Sequence, residues 1–213
     1  GQNVVTSNAV GVHSVFAADL DGDGDLDVAA ANGRHWPQQD WIFFNEGGGR
    51  LLEAAPLGAR RSASYTIRLG DLDRDGDIDA VVVRDLLPAQ VFLNDGSGAF
   101  SHSGDIQDSA APARSGTLAD LNGDGMLDLV IATRRKPDRI HFGMGGGSFG
   151  GPVALPDKGY GSTGIVADDI DGDGDTDLIF ARRDGVPSVI FVNRGKGDFT
   201  PVPLEGSEGD HRK

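Results

Sequence analysis

The sequence contains no cysteine and few aromatic residues, and no apolar run approaches the length of a membrane span. The absence of cysteine excludes disulfides and thiolate metal sites, but it does not decide the cellular compartment. Aromatic residues make up 7% of the 213 residues, whereas the 33 glycines are about twice the ordinary share. This composition favours many short strands joined by tight turns and disfavours a helical bundle. The chain is expected to be soluble, with no transmembrane segment.

Common catalytic motifs are also missing. The sequence has neither G-x-S-x-G nor H-E-x-x-H, and its five histidines fall at unrelated places in the chain. Basic residues are too few to balance the acidic ones, so the formal net charge is −14. Because phosphate binding needs clustered positive charge, nucleic acid is disfavoured as a partner. These absences favour a non-catalytic protein that does not bind nucleic acid.

One acidic motif recurs four times along the chain. Residues 19–27 read DLDGDGDLD, 71–79 read DLDRDGDID, 120–128 read DLNGDGMLD, and 169–177 read DIDGDGDTD. Each copy lies between two short apolar or alternating segments. A second shared phrase follows, such as VFLNDGSGAF at 91–100 and IFVNRGKGDF at 190–199. More than half of the 33 acidic residues lie in the four motifs, and charge so concentrated usually has a local counter-ion.

The repeated unit is interpreted as strand, Asp loop, strand, hairpin loop, strand, Gly-rich turn, strand. Four strands in about 50 residues are typical of a propeller blade. The predicted fold class is therefore an all-β propeller of four-stranded blades. Because such repeats bury their faces only against neighbours, residues 1–204 should form one domain, followed by a polar tail at 205–213. The predicted repeats span about 10–57, 58–106, 107–155 and 156–204.

The four Asp loops have the residue pattern of a Ca²⁺ site. Hard oxygen ligands on alternate residues, a glycine turn at position 6 and a backbone carbonyl at position 7 are what a Ca²⁺ loop needs. Side-chain ligands are predicted at positions 1, 3, 5 and 9, namely Asp19, Asp21, Asp23, Asp27; Asp71, Asp73, Asp75, Asp79; Asp120, Asn122, Asp124, Asp128; and Asp169, Asp171, Asp173, Asp177. The predicted carbonyl ligands belong to Asp25, Asp77, Met126 and Asp175.

The same loops are open to three other interpretations. They are not EF-hands, because position 12 is apolar in every copy where an EF-hand has a bidentate Glu. Mg²⁺ is a weaker candidate because it prefers fewer carboxylates and more water. The loops could instead be solvated acidic turns that hold no ion. Four copies in register favour up to four bound Ca²⁺ ions.

The pattern D-x-D-x-D-G-x-x-D followed by N-x-G-x-G-x-F resembles the FG-GAP, or VCBS, repeat of integrin α-subunit heads and many secreted bacterial and fungal proteins. The resemblance covers about residues 10–204 and implies propeller blades with Ca²⁺ between the first two strands of each blade. Two departures matter. Such relatives usually have seven blades, whereas four are visible here. The third copy has Asn122 and, in its second phrase, Gly143 in place of Asn, so its site is expected to be the weakest.

The chain termini bear on how the blades are closed. Residues 14 positions before each loop are apolar, namely Val5, Leu57, Ile106 and Leu155. The segment at 3–7 thus resembles the outer strand of a preceding blade, and 199–204 resembles the outer strand of the fourth. Either the ends pair to close a compact four-bladed domain, which is slightly favoured, or the chain is a piece of a larger propeller. The first residue, a glycine, is consistent with a processed or excised chain.

The loops that join strand 2 to strand 3 should gather on the face opposite the Asp loops. They hold Arg34, Arg84, Arg134, Arg135, Lys136, Arg139, Arg182 and Arg183, eight of the 19 basic residues. Such charges could simply keep the protein soluble. The alternative is a docking face for an anionic or polyhydroxylated partner.

The first of these loops is enlarged and contains both tryptophans. Trp41 is expected to begin a strand. Trp36, beside His35, should lie near the loop tip and could stack on a sugar or anchor a partner protein, or could fold back over the blade edge. Tyr65 and Tyr160 are further candidates for the same face.

The favoured function is a non-catalytic Ca²⁺-binding recognition or adhesion module with a glycan or protein partner. The alternatives are a structural subunit of a larger surface or membrane-associated assembly, and a lyase, a hydrolase or the accessory domain of one. Low-affinity Ca²⁺ loops suit millimolar Ca²⁺, so a secreted, cell-surface or periplasmic location is expected.

Overall fold

The computed structural model describes residues 12–34, 36–158 and 161–207. These residues form sixteen β-strands and no helix, so nothing in them could cross a membrane as a helix. The strands are β1 (Val12–Ala18), β2 (Asp27–Asn32), β3 (Gln38–Asn45), β4 (Leu51–Ser62), β5 (Ser64–Gly70), β6 (Asp79–Arg84), β7 (Gln90–Asn94), β8 (Phe100–Asp105), β9 (Ala113–Ala119), β10 (Asp128–Thr133), β11 (Arg139–Gly145), β12 (Ser148–Ala154), β13 (Ser162–Asp168), β14 (Asp177–Arg182), β15 (Val189–Asn193) and β16 (Phe199–Pro203).

The strands form four separate antiparallel sheets of four strands, each in chain order. We call them blade 1 (β1–β4), blade 2 (β5–β8), blade 3 (β9–β12) and blade 4 (β13–β16). The Asp loops join the first two strands of each blade, as predicted. The sequence-based prediction of an all-β protein built from four-stranded blades is therefore confirmed.

The second strand of each central blade is buried on both faces. All six residues of β6 and all six of β10 are buried, because each blade is covered on both sides by another blade. This explains why these strands read as continuous apolar runs, such as AVVV and LVIA, rather than as alternating patterns.

Three hydrophobic cores hold the blades together, one between each pair of successive blades. Ala29 of blade 1 and Val82 of blade 2 belong to the first core. Val81 and Ile131 belong to the second core, and Val130 and Phe180 to the third. The innermost strands follow one another in the order β1, β5, β9, β13. Burial of apolar surface between blades is thus the main source of stability.

In the described residues, no fourth core joins blade 4 back to blade 1. Val15 on β1 and Val166 on β13 are both 57% exposed. The four blades therefore form an open, propeller-like arrangement. Residues 3–7, which were predicted to act as a preceding outer strand, lie outside the described residues, so closure through the chain ends stays a prediction.

Alternate blades share the same buried polar pair. Asp40 in blade 1 accepts hydrogen bonds from Ser64 of blade 2 (2.7 Å) and from the Asn32 N–H (2.7 Å). Asp138 in blade 3 accepts the equivalent bonds from Ser162 of blade 4 (2.6 Å) and from the Thr133 N–H (2.7 Å). Burial raises the pKa of Asp40 to about 6 and that of Asp138 to about 7.

Blades 2 and 4 match each other in the same way. The hydroxyl of Ser109 accepts the Ala89 N–H at 2.7 Å, and Ser207 accepts the Ser188 N–H at 2.8 Å. Both seryl hydroxyls also donate to the carbonyl three residues earlier. These hydrogen bonds therefore recur in every second blade, whereas the Asp loop recurs in every blade.

Candidate metal centres and ligand cleft

The first residue of each Asp loop shapes the loop around its own carboxylate. Both oxygens of Asp19 accept backbone N–H groups, from Gly22 at 2.8 Å and from Gly24 at 3.0 Å. Gly24 has a φ of +92°, a conformation that other residues rarely adopt. Asp71, Asp120 and Asp169 make the equivalent bonds. A carboxylate at position 1 supplies an oxygen for each of the two N–H groups, whereas a side-chain amide has a single oxygen.

The last residue of each loop fastens it to the blade. Asp27 is fully buried and accepts the Leu20 N–H and the Asn45 N–H, each at 2.8 Å. One oxygen thus binds the start of the Asp loop and the other binds the end of strand 3. The same arrangement recurs at Asp79, Asp128 and Asp177. The loop is therefore held rigidly at both ends.

Folding brings together the carboxylates of positions 1, 3 and 9 in three of the four loops. One oxygen from each member lies within 4.8 Å of the others in Asp19, Asp21, Asp27; Asp71, Asp73, Asp79; and Asp169, Asp171, Asp177. The predicted ligands at position 5 lie outside these groups. Asp23, for example, accepts the Asp25 N–H at 2.8 Å, and the other three position-5 residues make the same bond.

The third loop is built differently. Asn122 donates from its side-chain amide to a carboxylate oxygen of Asp124 at 2.9 Å and accepts the Asp124 N–H at 3.0 Å. The third loop therefore has one carboxylate fewer than the others. In addition, the Asn122 amide forms a hydrogen bond to one of the remaining carboxylates, that of Asp124. Whether the third site is the weakest stays a prediction.

Burial and crowding raise the pKa of several loop carboxylates. Desolvation and then neighbouring carboxylates raise the pKa of Asp21, Asp73 and Asp171. Burial raises the pKa of Asp79 and brings that of Asp128 to about 6. Grouped, partly desolvated oxygen ligands on a rigid loop fit a hard divalent cation, which would relieve the repulsion among them. The acidic clusters therefore offer the kind of donor set that such a cation takes.

Comparison with protein families identifies the repeat. The model of the FG-GAP-like repeat matches residues 19–82, 71–131 and 120–180, each segment starting at the first Asp of a loop. The matches together extend over most of the 213 residues. This chain belongs to the FG-GAP-like repeat family. No curated protein sequence matches the FG-GAP-like chain.

Solved structures share its fold. A lectin from Agrocybe aegerita that specifically recognises non-reducing terminal N-acetylglucosamine is 21% identical, with a TM-score of 0.66, and the match covers 92% of this chain and 53% of the lectin. BBS1N, solved in complex with ARL6DN, is 15% identical with a TM-score of 0.61, covering 92% of this chain and 57% of BBS1N. The Vibrio cholerae biofilm matrix protein Bap1 is 20% identical with a TM-score of 0.53, covering 89% and 30%. The FG-GAP-like chain thus spans about half the length of the first two proteins.

Only part of the predicted basic face is exposed to solvent. Arg34, Arg134, Arg135 and Arg183 are exposed in the loops between strands 2 and 3. Arg84 and Arg182 instead make ion pairs, with Asp105 at 3.2 Å and with Asp157 at 2.5 Å, and their side chains are 8% and 5% exposed. Of the other candidates, His35 and Tyr160 lie outside the described residues.

The aromatic candidates Trp36 and Tyr65 differ in burial. Trp36 is 77% exposed, as expected for a residue near the tip of the enlarged loop. Tyr65 is 2% exposed, and the structure does not place it on that face. Its ring lies 4.8 Å from the His13 ring and 4.6 Å from the Arg114 guanidinium, because it packs between the inner strands of neighbouring blades.

Sequence reasoning missed a pair of exposed leucines on the same face as Trp36. Leu86 is 67% exposed and Leu87 is 44% exposed, in the loop between β6 and β7. Leu86 has a φ of +61° and donates its N–H to the Ala111 carbonyl at 2.8 Å, so the loop holds this residue at the surface. An apolar doublet at a hairpin tip, DLLP, was the available signal.

A cleft of about 310 Å³ lies between blades 1 and 2, towards the basic face. Its lining residues are Gly58, Ala59, Arg60, Arg84, Gln90, Phe92, His102 and Asp105. Gln90 donates to Asp105 at 3.1 Å, and His102 lies 3.2 Å from both Gln90 and Asp105. Apart from Arg84, none of these residues was predicted, because they come from three strands of two repeats and no local motif joins them.

Proposed function

We propose that this chain is a non-catalytic Ca²⁺-binding recognition module that binds glycans in the cleft between blades 1 and 2. The cleft carries the proposal. Its lining combines hydrogen-bond donors and acceptors from Arg60, Arg84, Gln90, His102 and Asp105 with the edge of Phe92, a member of the core between blades 1 and 2. Small-ligand sites commonly combine a concave apolar surface with a few placed polar groups.

The chemistry of the lining favours a polyhydroxylated ligand. Asp105 accepts hydrogen bonds from Arg84 and Gln90, and the His102 Nε2 lies 3.2 Å from the same carboxylate, so these contacts orient the carboxylate before any ligand arrives. Arg60 adds a cation whose repulsion lowers the pKa of Arg84, after the larger effect of desolvation. Sugar hydroxyls can donate to such a carboxylate and accept from amide and guanidinium groups. The similarity to a lectin supports this class of ligand.

A protein partner is the second candidate. Trp36, Leu86 and Leu87 are exposed apolar residues in the loops between strands 2 and 3, beside exposed arginines. Such aromatic and basic residues commonly dominate protein interfaces. One structural neighbour, BBS1N, was solved in complex with another protein.

The Asp loops are proposed to bind Ca²⁺ rather than to take part in recognition. Their oxygen ligands suit a hard cation, and in this role the ion holds the loop and the adjoining strand ends in place. Sites of this kind that need millimolar Ca²⁺ would be filled outside the cytoplasm, so we propose an extracytoplasmic location.

A glycan array probed with the Ca²⁺-loaded chain tests the proposal. We expect a defined set of glycans to bind, and His102→Ala and Gln90→Ala to weaken binding in titrations with the best ligand. Arg134→Ala is the matched control, because Arg134 is exposed on the same face but does not line the cleft. Binding that is lost in the control but kept in the cleft variants would place the site in the loops instead. An array without any bound glycan would refute the glycan proposal and favour the protein partner.

A further inference from the structure

The charges that line the cleft between blades 1 and 2 do not balance. Two arginines, Arg60 and Arg84, line it together with a single carboxylate, that of Asp105. Arg84 pairs with Asp105 at 3.2 Å, whereas Arg60 forms no ion pair with any described residue. The chain as a whole carries a formal net charge of −14, so a cleft with a surplus cation has the opposite sign. Such a cleft attracts an anionic ligand.

The arginine of this cleft has a counterpart between blades 3 and 4. Arg84 and Arg182 each come five residues after the last Asp of their loop, Asp79 and Asp177. Arg182 pairs with Asp157 of the preceding blade at 2.5 Å, and the two side chains are 5% and 3% exposed. Charges are buried in this way only when they are paired. At the junction of blades 3 and 4, a carboxylate therefore fills the place beside the arginine.

Blade 1 supplies no carboxylate at this position. Asp157 and Ala59 hold the same place in the repeat, each two residues after a buried leucine, Leu155 and Leu57 respectively. The methyl group of Ala59 cannot pair with Arg84, and Ala59 is exposed and lines the cleft. Where the junction of blades 3 and 4 has a buried carboxylate, the junction of blades 1 and 2 therefore has an open cleft.

Arg84 keeps a donor for a ligand. Its Nε donates to the Pro88 carbonyl at 2.6 Å and its Nη2 to the half-exposed Asp105 at 3.2 Å, which leaves Nη1 without a partner among the described residues. Desolvation lowers the pKa of Arg84, Asp105 opposes this shift, and the charge of Arg60 adds to it. The two guanidinium groups thus lie close enough to repel each other. An anion bound beside both would relieve this repulsion.

The shape and chemistry of the cleft favour a carboxylate on a sugar. A planar carboxylate matches the fork of a guanidinium, and the pair of Asp157 and Arg182 shows this match within the same chain. The rest of the lining suits a sugar ring, because Gln90 and His102 offer polar groups for hydroxyls and Phe92 offers an apolar edge.

We propose that the cleft between blades 1 and 2 binds acidic glycans, with the carboxylate of a sugar contacting Arg60 and Arg84. This inference rests on the proposed glycan-binding function and specifies the class of sugar. The ligand carboxylate then takes the role that Asp157 has between blades 3 and 4.

A glycan array with matched esters tests the proposal. It carries uronate-containing and sialylated glycans, each beside its methyl ester, which keeps the hydroxyls but removes the charge. The Ca²⁺-loaded chain should bind the acids about tenfold or more tightly than the esters, as expected for a hydrogen bond to a charged group. In titrations with the tightest-binding acid, Arg60→Gln should remove this difference and leave ester binding unchanged. Arg61→Gln is the matched control, because Arg61 is exposed and adjacent in sequence but does not line the cleft.

Ala59→Asp is the complementary variant. It gives blade 1 the carboxylate that blade 3 has at Asp157, so it should weaken binding of the acid more than binding of its ester. Since Ala59 is exposed, the variant should fold, which thermal melts would check.

Three results would overturn the inference while leaving glycan binding intact. These are esters that bind as tightly as the acids, sulfated glycans that bind more tightly than the carboxylated ones, and equal losses in Arg60→Gln and Arg61→Gln. An array with no bound glycan at all would instead refute the proposed function together with this inference.

Discussion

The side-chain amide of Asn94 donates a 2.8 Å hydrogen bond to the carbonyl of Leu20, which lies 74 residues earlier in the neighbouring blade. The bond joins the Gly-rich turn of blade 2 to the Asp loop of blade 1. Asn193 makes the same bond to Leu121 between blades 4 and 3. Blade 3 has Gly143 at this position, and the Gly147 N–H replaces the missing donor by binding the Leu72 carbonyl at 3.2 Å. The Asn of the repeat motif therefore links neighbouring blades through a side-chain hydrogen bond.

Replacing Asn94 with Ala should destabilise the fold. The substitution leaves the carbonyls of Leu20 and Ile78 without their amide donor, and an unsatisfied buried polar group costs about 1–3 kcal/mol. Denaturant unfolding should show a loss of this size in the free energy of unfolding. Ser97→Ala is the control: it removes an exposed bond to Asp95 in the same turn, and should change stability by less than about 0.5 kcal/mol. Equal effects of the two substitutions would refute the role of Asn94 in linking blades 1 and 2.

Removing metal should lower the melting temperature. The three carboxylates of each complete cluster lie within 4.8 Å of one another and repel when no cation neutralises them. Because a ligand that binds only the folded state stabilises it, EGTA should lower the melting temperature and added Ca²⁺ should restore it. Mg²⁺ at the same concentration serves as the control and should restore less. An unchanged melting temperature together with no Ca²⁺ in metal analysis would contradict the metal centres.

Single substitutions should alter the number and affinity of Ca²⁺ sites. Asp73→Ala removes one member of the second cluster and should abolish one site. Asn122→Asp adds a carboxylate to the third loop, where an amide now bonds to Asp124, and should tighten that site. Asp95→Ala, an exposed acidic residue outside the clusters, is the control. Calorimetric titrations that give the same stoichiometry and affinities for all variants would contradict the ligand assignment.

The sequence predicted the repeated parts of this molecule well, and for a physical reason. The Asp loops and Gly-rich turns depend on local chemistry, because Asp19 closes its loop within five residues and the glycines supply positive φ. Four copies of one pattern then specify four similar sheets. At Gly143 the constraint is a contact within the same blade: an added Cβ would lie 2.5 Å from the Leu127 carbonyl oxygen, so this backbone has no room for the Asn of the motif.

Features that depend on contacts between repeats could not be predicted. Tyr65 was a candidate for the basic face because it comes before the first strand of blade 2 in the sequence, yet it is buried between inner strands. Arg84 looked like a free surface charge, but Asp105, twenty-one residues later, pairs with it. The cleft depends on the same long-range packing of blades 1 and 2. Sequence patterns identify each repeat, but the surfaces between repeats form only when the chain is folded.

The buried carboxyl of Asp138 should make stability depend on pH. Burial raises the pKa of Asp138 in the folded state to about 7, well above the ordinary pKa of an aspartate, so the folded protein retains a proton that the unfolded chain releases. The free energy of unfolding should therefore fall as pH rises from about 4 to about 7, by about 1.4 kcal/mol for each unit of pKa difference. Asp138→Asn should flatten this fall, because the amide keeps an acceptor for the Thr133 N–H and cannot ionise. Asp184→Asn, at an exposed site, should leave the profile unchanged. Parallel profiles for Asp138→Asn and the wild type, measured by denaturant unfolding across this range, would contradict the assignment.

Trp36 should contribute to binding any partner large enough to reach the loops between strands 2 and 3. Its side chain is 77% exposed beside Arg34, so a partner would bury a large ring that is now in water. Trp36→Ala should weaken such binding by about 1–3 kcal/mol, whereas Arg134→Ala with Arg135→Ala should mainly slow association and reduce its dependence on salt. Met144→Ala is the control, because Met144 is 67% exposed near the end of β11, and this end of the strand lies on the same side of the blade as the Asp loops. None of these substitutions should change the Ca²⁺ content, since none removes a loop carboxylate. Surface plasmon resonance with a glycan or protein found by array or pull-down provides both rates. Binding that is insensitive to Trp36 and both arginines, but is lost in Met144→Ala, would place the recognition surface on the Asp-loop side.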